Sequence, residues 1–201
     1  MYLPTQFKAT DPAFAAELMQ RYPLATLVGT DDEGLPFLTP LPLHYDAKGH
    51  SLWGHCARAN PQWHYLEARP RAVVMFMGPQ GYLSPTVYPD LARVPTWNYL
   101  AVNLTVEARL IHDAPPKDEL LKILIADHEP SYAAQWRSLP EDYTSGMLRG
   151  IVGFELRILD LQCKLKLNQH RPEAHAAMKA AYGAGNESER ALAVWMEKLG
   201  L

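Results

Sequence analysis

The sequence predicts an α+β fold: antiparallel strands closing into a barrel with a split edge, peripheral helices, and a helical C-terminal tail. Three observations predict it. In Trp97–His112, the residues Val102, Leu104, Val106, Ala108 and Leu110 alternate with Asn103, Thr105, Glu107 and Arg109. That is the period of a strand with one buried face. Pro40 and Pro42 stand two apart within Phe37–Tyr45, so their missing N–H groups fall on one strand edge that cannot be fully paired. Finally, Glu173–Tyr182 and Glu187–Leu199 read as two helices around the turn Gly183-Ala184-Gly185.

The remaining elements follow in order. Asp11-Pro12 opens a short helix with Phe14, Leu18 and Met19 on one stripe. Leu24–Thr30 reads as a buried strand, closed by the turn Asp31–Gly34, with Phe37–Tyr45 as its hairpin partner. A second turn, Asp46–Gly49, leads into a strand over Ser51–Gly54. Arg71–Met77 is another apolar strand, and Gly78-Pro79-Gln80-Gly81 reads as a turn. Lys117–Asp127 reads as a helix with Leu120, Leu121, Leu124 and Ile125 inward, and Ile151–Leu161 returns to strand. There is no internal repeat. Residues 1–171 are expected to form one domain, with 172–201 a helical tail rather than an independent domain.

Composition narrows the function. Net charge is −3 over 201 residues, so bulk charge gives no support to a nucleic-acid partner. Cys56 and Cys163 are the two cysteines, a usage that fits a reducing cytoplasm better than a disulfide scaffold. Residues 1–20 carry Lys8, Asp11 and Glu17 and lack the apolar core of a secretion signal. No apolar run approaches the roughly 18 residues of a membrane span. A cytoplasmic protein without a membrane partner is expected.

The segment GHCARANPQW, Gly54–Trp63, places His55, Arg58 and Asn60 where a strand gives way to a helix. Asparagine is a favoured N-cap and proline suits the first helical position. A helix N-terminus with Arg58 beside it is an anion site in outline. On spacing alone, an exposed arginine next to a capped helix is the plainer reading. Lys164 and Lys166 share one strand face, while Trp97 and Tyr99 share the polar, odd-numbered face of the long strand. His128-Glu129 lacks the second histidine of a zinc-hydrolase motif, since Tyr132 stands at that spacing, so a paired surface histidine is expected and no metal site. No P-loop or dinucleotide fingerprint is present, and Ser84 lacks the glycines of a nucleophile elbow. As a helix-turn-helix, the last two helices would present Glu187 and Glu189 to phosphate, so direct DNA binding is doubtful.

GHCARANPQW, GYLSP (Gly81–Pro85), VPTWNY (Val94–Tyr99) and KLKLNQHR (Lys164–Arg171), with the opening MYLPTQF and His128-Glu129, resemble the hallmark segments of the PaiB family. That family comprises FMN-binding negative transcriptional regulators on the FMN-binding split barrel. The matches run in order from residue 1 to about residue 171. One departure is Asn168-Gln169-His170, where the family more typically has Ser-Gln-Asn. The resemblance implies FMN, held at a homodimer interface by His55, Arg58, Asn60, Ser84, Trp97, Asn98, Tyr99, Lys164, Lys166, Gln169 and Arg171. It implies negative regulation of transcription tied to sporulation and degradative-enzyme genes. A flavin-dependent oxidoreductase acting on a small substrate is the alternative, and a barrel that has lost its flavin is a third reading. No residue stands out as a catalytic acid or base; His55 and Tyr82 are the nearest to proton donors.

Overall fold

The computed structural model describes residues 1–90 and 92–201. Seven strands form one sheet: β1 (Leu24–Thr30), β2 (Pro36–Pro42), β3 (His44–Asp46), β4 (Ser51–Ala57), β5 (Arg71–Leu83), β6 (Thr96–Ile111) and β7 (Ile151–Lys166). Their order is β2-β1-β5-β6-β7-β4-β3. The helices are α1 (Pro12–Arg21), α2 (Gln62–Ala68), α3 (Ala114–His128), α4 (Ala133–Ser138), α5 (Glu141–Arg149), α6 (His175–Gly183) and α7 (Glu187–Lys198). The chain divides into two compact units, one of residues 1–18, 77–102 and 162–201, the other of 19–76 and 103–161.

In the second unit, β1 pairs antiparallel with β2 on one side, Leu24 opposite Pro42, and with β5 on the other, Ala25 opposite Phe76. β2 is an edge strand, as its prolines require. The expected strand Phe37–Tyr45 is in fact two. The break falls at Leu43, whose N–H donates to the Pro23 carbonyl (3.0 Å), because β2 pairs with β1 whereas β3 pairs with β4. β4 runs to Ala57, beyond its expected end at Gly54, because it pairs with β7 as far as Ala57 opposite Ile151. His55 therefore sits inside a strand, opposite Gly153. Leu27, Val74, Val106, Val152, Phe154 and Leu156 are buried.

In the first unit, the segment Gly78–Gly81 is strand, part of β5, and not the turn its composition predicts. Its glycines serve close packing instead of positive φ. A Cβ on Gly78 would meet Leu18 at 2.8 Å, and one on Gly81 would meet Glu189 at 2.9 Å and Leu192 at 3.1 Å. Asn186 and Glu189 form a reciprocal capping box that starts α7. Tyr182, Leu192, Trp195 and Met196 are buried, so residues 172–201 contribute to the core of this unit.

Candidate functional site

Arg58, in the loop after β4, turns its guanidinium onto the junction of α5 and β7. Nε donates to the Arg149 carbonyl (2.8 Å) and Nη2 to the Ile151 carbonyl (3.3 Å), while its backbone N–H donates to the Gly150 carbonyl (2.8 Å). Lys117 approaches the same junction from the first turn of α3, donating to the carbonyls of Leu148 (2.5 Å) and Ile151 (3.4 Å). Lys117 is buried, and burial lowers its pKa, reinforced by the Arg58 charge and opposed by Asp113. A cavity of about 460 Å³ opens here, lined by Arg58, His112, Ala114, Lys117, Ser145, Leu148 and Arg149. Three lining residues are permanent cations or an ammonium, one is a hydroxyl, and none is a carboxylate. Lys117, His112, Ser145 and Arg149 were absent from the sequence expectation, although a lysine in the apolar stripe with Leu120 and Leu124 was a visible anomaly.

α2 starts at Gln62, one residue later than expected, with Pro61 at the N-cap position; Asn60 Oδ1 still accepts from the Gln62 N–H (2.9 Å), and its amide donates to Thr39 Oγ1 (3.3 Å). The helix has only seven residues. The Arg58 guanidinium donates to the α5–β7 junction and not to this helix terminus. His55 is half-buried; its Nδ1 has no partner among the described residues, and burial lowers its pKa.

The other expected residues lie in the first unit. Trp97 and Tyr99 share the odd-numbered face of β6, as alternation predicts, with Trp97 48% exposed. Trp97 donates to Gln80 Oε1 (3.0 Å) and meets Tyr82 edge-to-face at 6.1 Å. The ring of Tyr99 lies 5.1 Å from Lys164 Nζ and 5.8 Å from Lys166 Nζ. Lys164 donates to the Tyr2 carbonyl (3.2 Å), and Lys166 donates to Thr96 Oγ1 (2.8 Å) and the Trp97 carbonyl (2.6 Å). Burial lowers the Lys166 pKa, with Tyr99 raising and Lys164 lowering it.

Two expected residues, Ser84 and Gln169, are committed to local structure. Ser84 Oγ accepts from the backbone and hydroxyl of Thr86, capping a 3₁₀ turn. Gln169 closes its own turn, accepting from the Leu167 N–H and donating to the Leu165 carbonyl. Asn98 is wholly buried on the opposite face from Trp97, where its side chain interacts with Tyr182. Arg171 lines a separate cavity of about 300 Å³ with Lys166.

His128 was expected to be a paired histidine, yet the ion pair beside it is Asp127 with His44, at 2.7 Å. Among the described residues no three histidines, cysteines or acids are grouped to hold a metal. No described helix is long and apolar enough to cross a membrane.

Residues 1–160 match the family described as "Putative FMN-binding domain". The chain is 36% identical over 180 residues to the protease synthase and sporulation protein PAI 2 of Bacillus subtilis, covering 86% of this chain and 84% of that one. The chain belongs to the PaiB family. Its fold is that of flavin-binding split-barrel proteins. The flavocytochrome Anf3 of Azotobacter vinelandii superposes with a TM-score of 0.65 at 20% identity, over 81% of this chain and 70% of that one. A FAD- and heme-binding protein of Mycobacterium smegmatis gives 0.62 at 20% identity, over 79% and 73%.

The cofactor of a PaiB-family chain is FMN. The residues present fit its phosphate, because a dianion requires cations, and Arg58, Lys117 and Arg149 line this cavity with no carboxylate in the lining, Asp113 acting on Lys117 from outside it.

Proposed function

We propose that this protein is a homodimeric FMN-binding regulator of the PaiB type, with flavin held where two copies meet. The observation that carries the flavin reading is the cavity bearing Arg58, Lys117 and Arg149 without a lining carboxylate. Arg58 and Lys117 are fixed by backbone carbonyls, so their remaining N–H groups need no reorganisation to receive a phosphate. The Ser145 hydroxyl adds a further donor. When bound, FMN supplies electron-transfer chemistry; the protein's part is to anchor the phosphate and cover the ring.

Dimerisation is supported by surface left uncovered in one chain. Tyr82 and Trp97 are each 48% exposed on one face, an aromatic patch of the kind that partner subunits bury. A part in protease synthesis and sporulation is carried over from the name of the Bacillus relative, and negative regulation of transcription from the family resemblance. In such a role the chain acts through another molecule, because Ser188 at the start of α7 is bonded to Gln80 and the adjacent Glu187 and Glu189 repel phosphate.

The test is a visible spectrum of the purified protein with added FMN, followed by an NAD(P)H consumption assay. Flavin binding without turnover supports the regulator. Flavin binding with steady turnover overturns it in favour of an oxidoreductase, and no flavin binding overturns both.

A further inference from the structure

A second cavity, of about 300 Å³, lies wholly within the first unit and shares no residue with the Arg58 cavity. One wall is the turn after β7, which Asn168 makes in the left-handed region (φ 57°) while its amide donates to Tyr88 Oη (2.6 Å). Tyr88, Ala92, Arg93, Val94 and Thr96 also line it. We propose that this cavity is a binding site for a small organic monocarboxylate with a compact apolar body.

Charge and lining together set the class of ligand. Arg93, Lys166 and Arg171 bring three positive charges to the lining. Two carboxylates already answer them: Asp90 lies 2.8 Å from Arg93, and Glu173 lies 3.8 Å from Arg93 and 3.9 Å from Arg171. With Lys164 acting on Lys166 as well, the excess stays positive and calls for an anion, and the apolar side chains of the lining suit an organic carboxylate better than inorganic phosphate. His170, also in the lining, adds no charge at neutral pH, since burial and then Arg171 lower its pKa against a weaker pull from Glu173.

An unmet donor points the same way. Arg93 Nε is buried and has no acceptor among the described residues, although its Nη2 is paired and its guanidinium lies 5.4 Å from the Tyr88 ring centroid. Buried polar atoms without partners are uncommon, and a ligand oxygen would satisfy this one. The lining also holds the apolar side chains of Phe7, Ala92 and Val94. The volume lies at the lower limit for ligand cavities, which favours a compact molecule. This assignment takes Lys166 and Arg171 out of the expected flavin wall and stands independently of the FMN reading.

The probe is benzoate, titrated calorimetrically into the full-length, FMN-saturated protein, with benzamide and inorganic phosphate as comparators. Benzoate is expected to bind saturably, with benzamide and phosphate each at least tenfold weaker. Arg93→Gln and Ala92→Trp are each expected to weaken benzoate at least tenfold while FMN affinity stays unchanged. Ala92 is exposed at the rim, so its variant decides the matter should Arg93→Gln fail to fold. Equal binding of benzoate and benzamide, tighter binding of phosphate, no saturable benzoate binding, or unchanged benzoate affinity in Ala92→Trp would each overturn the proposal. Parallel loss of FMN and benzoate in Ala92→Trp would overturn the separateness of the two sites.

Discussion

Arg58 and Lys117 donate to the same oxygen, the carbonyl of Ile151, at 3.3 and 3.4 Å. Two like charges converge because the last carbonyls of α5 and the first of β7 concentrate partial negative charge at one point. Both cations therefore hold the α5–β7 junction as well as lining the cavity. Lys117→Met is expected to lower unfolding free energy by about 1–3 kcal/mol, since two carbonyls lose a charged donor. Urea unfolding measures this. Arg149→Ala, which leaves the backbone carbonyls in place, is expected to change stability by less than about 0.5 kcal/mol yet weaken FMN roughly tenfold.

His55 predicts an acid-sensitive stability. Its pKa in the folded protein is lowered by burial from 6.5, so below pH 6.5 the unfolded chain binds the proton more readily than the folded one. Its contribution to stability is complete above that pH and is lost as pH falls toward the lowered value. One such proton gives a slope of at most about 1.4 kcal/mol per pH unit. Denaturation midpoints between pH 7.5 and 5 should fall in the wild type and fall less steeply in His55→Gln. Identical slopes would remove His55 from this account.

Asn168 departs from the usual family residue, and the structure gives it a backbone reason. At φ 57° an L-residue is strained, asparagine less than most. Asn168→Ala is expected to cost about 1–2 kcal/mol. Asn168→Gly should cost less, since it relieves the backbone and loses only the bond to Tyr88. Thermal melts of the two variants test the order.

Much of this fold was legible because its signals were local. The alternation in β6 placed Trp97 and Tyr99 on one face, and the paired prolines marked β2 as an edge. Gly78–Gly81 misled because glycine and proline punctuate turns, whereas here the glycines make room for Leu18 and Leu192. The family segments were recognisable, but the roles of their residues were not. Asn60, Ser84 and Gln169 spend their polar atoms on caps and turns, a fact set by geometry rather than by residue type. Lys117 escaped notice because nothing local says that α5 ends against it.

Sedimentation at low micromolar concentration should give about twice the 22.6 kDa chain mass. A monomer that still binds flavin would remove the shared interface from the account.

If the Arg58–Lys117–Arg149 cavity anchors a phosphate, FMN must bind tighter than riboflavin. The two flavins differ only in that group. Fluorescence titration of the wild type is expected to show FMN binding tighter than riboflavin by roughly ten- to a hundred-fold, the worth of about 1.5–3 kcal/mol from charge-assisted hydrogen bonds. In Arg58→Ala and Arg149→Ala that preference should shrink toward unity while riboflavin affinity holds. An undiminished preference in both variants would contradict the assignment.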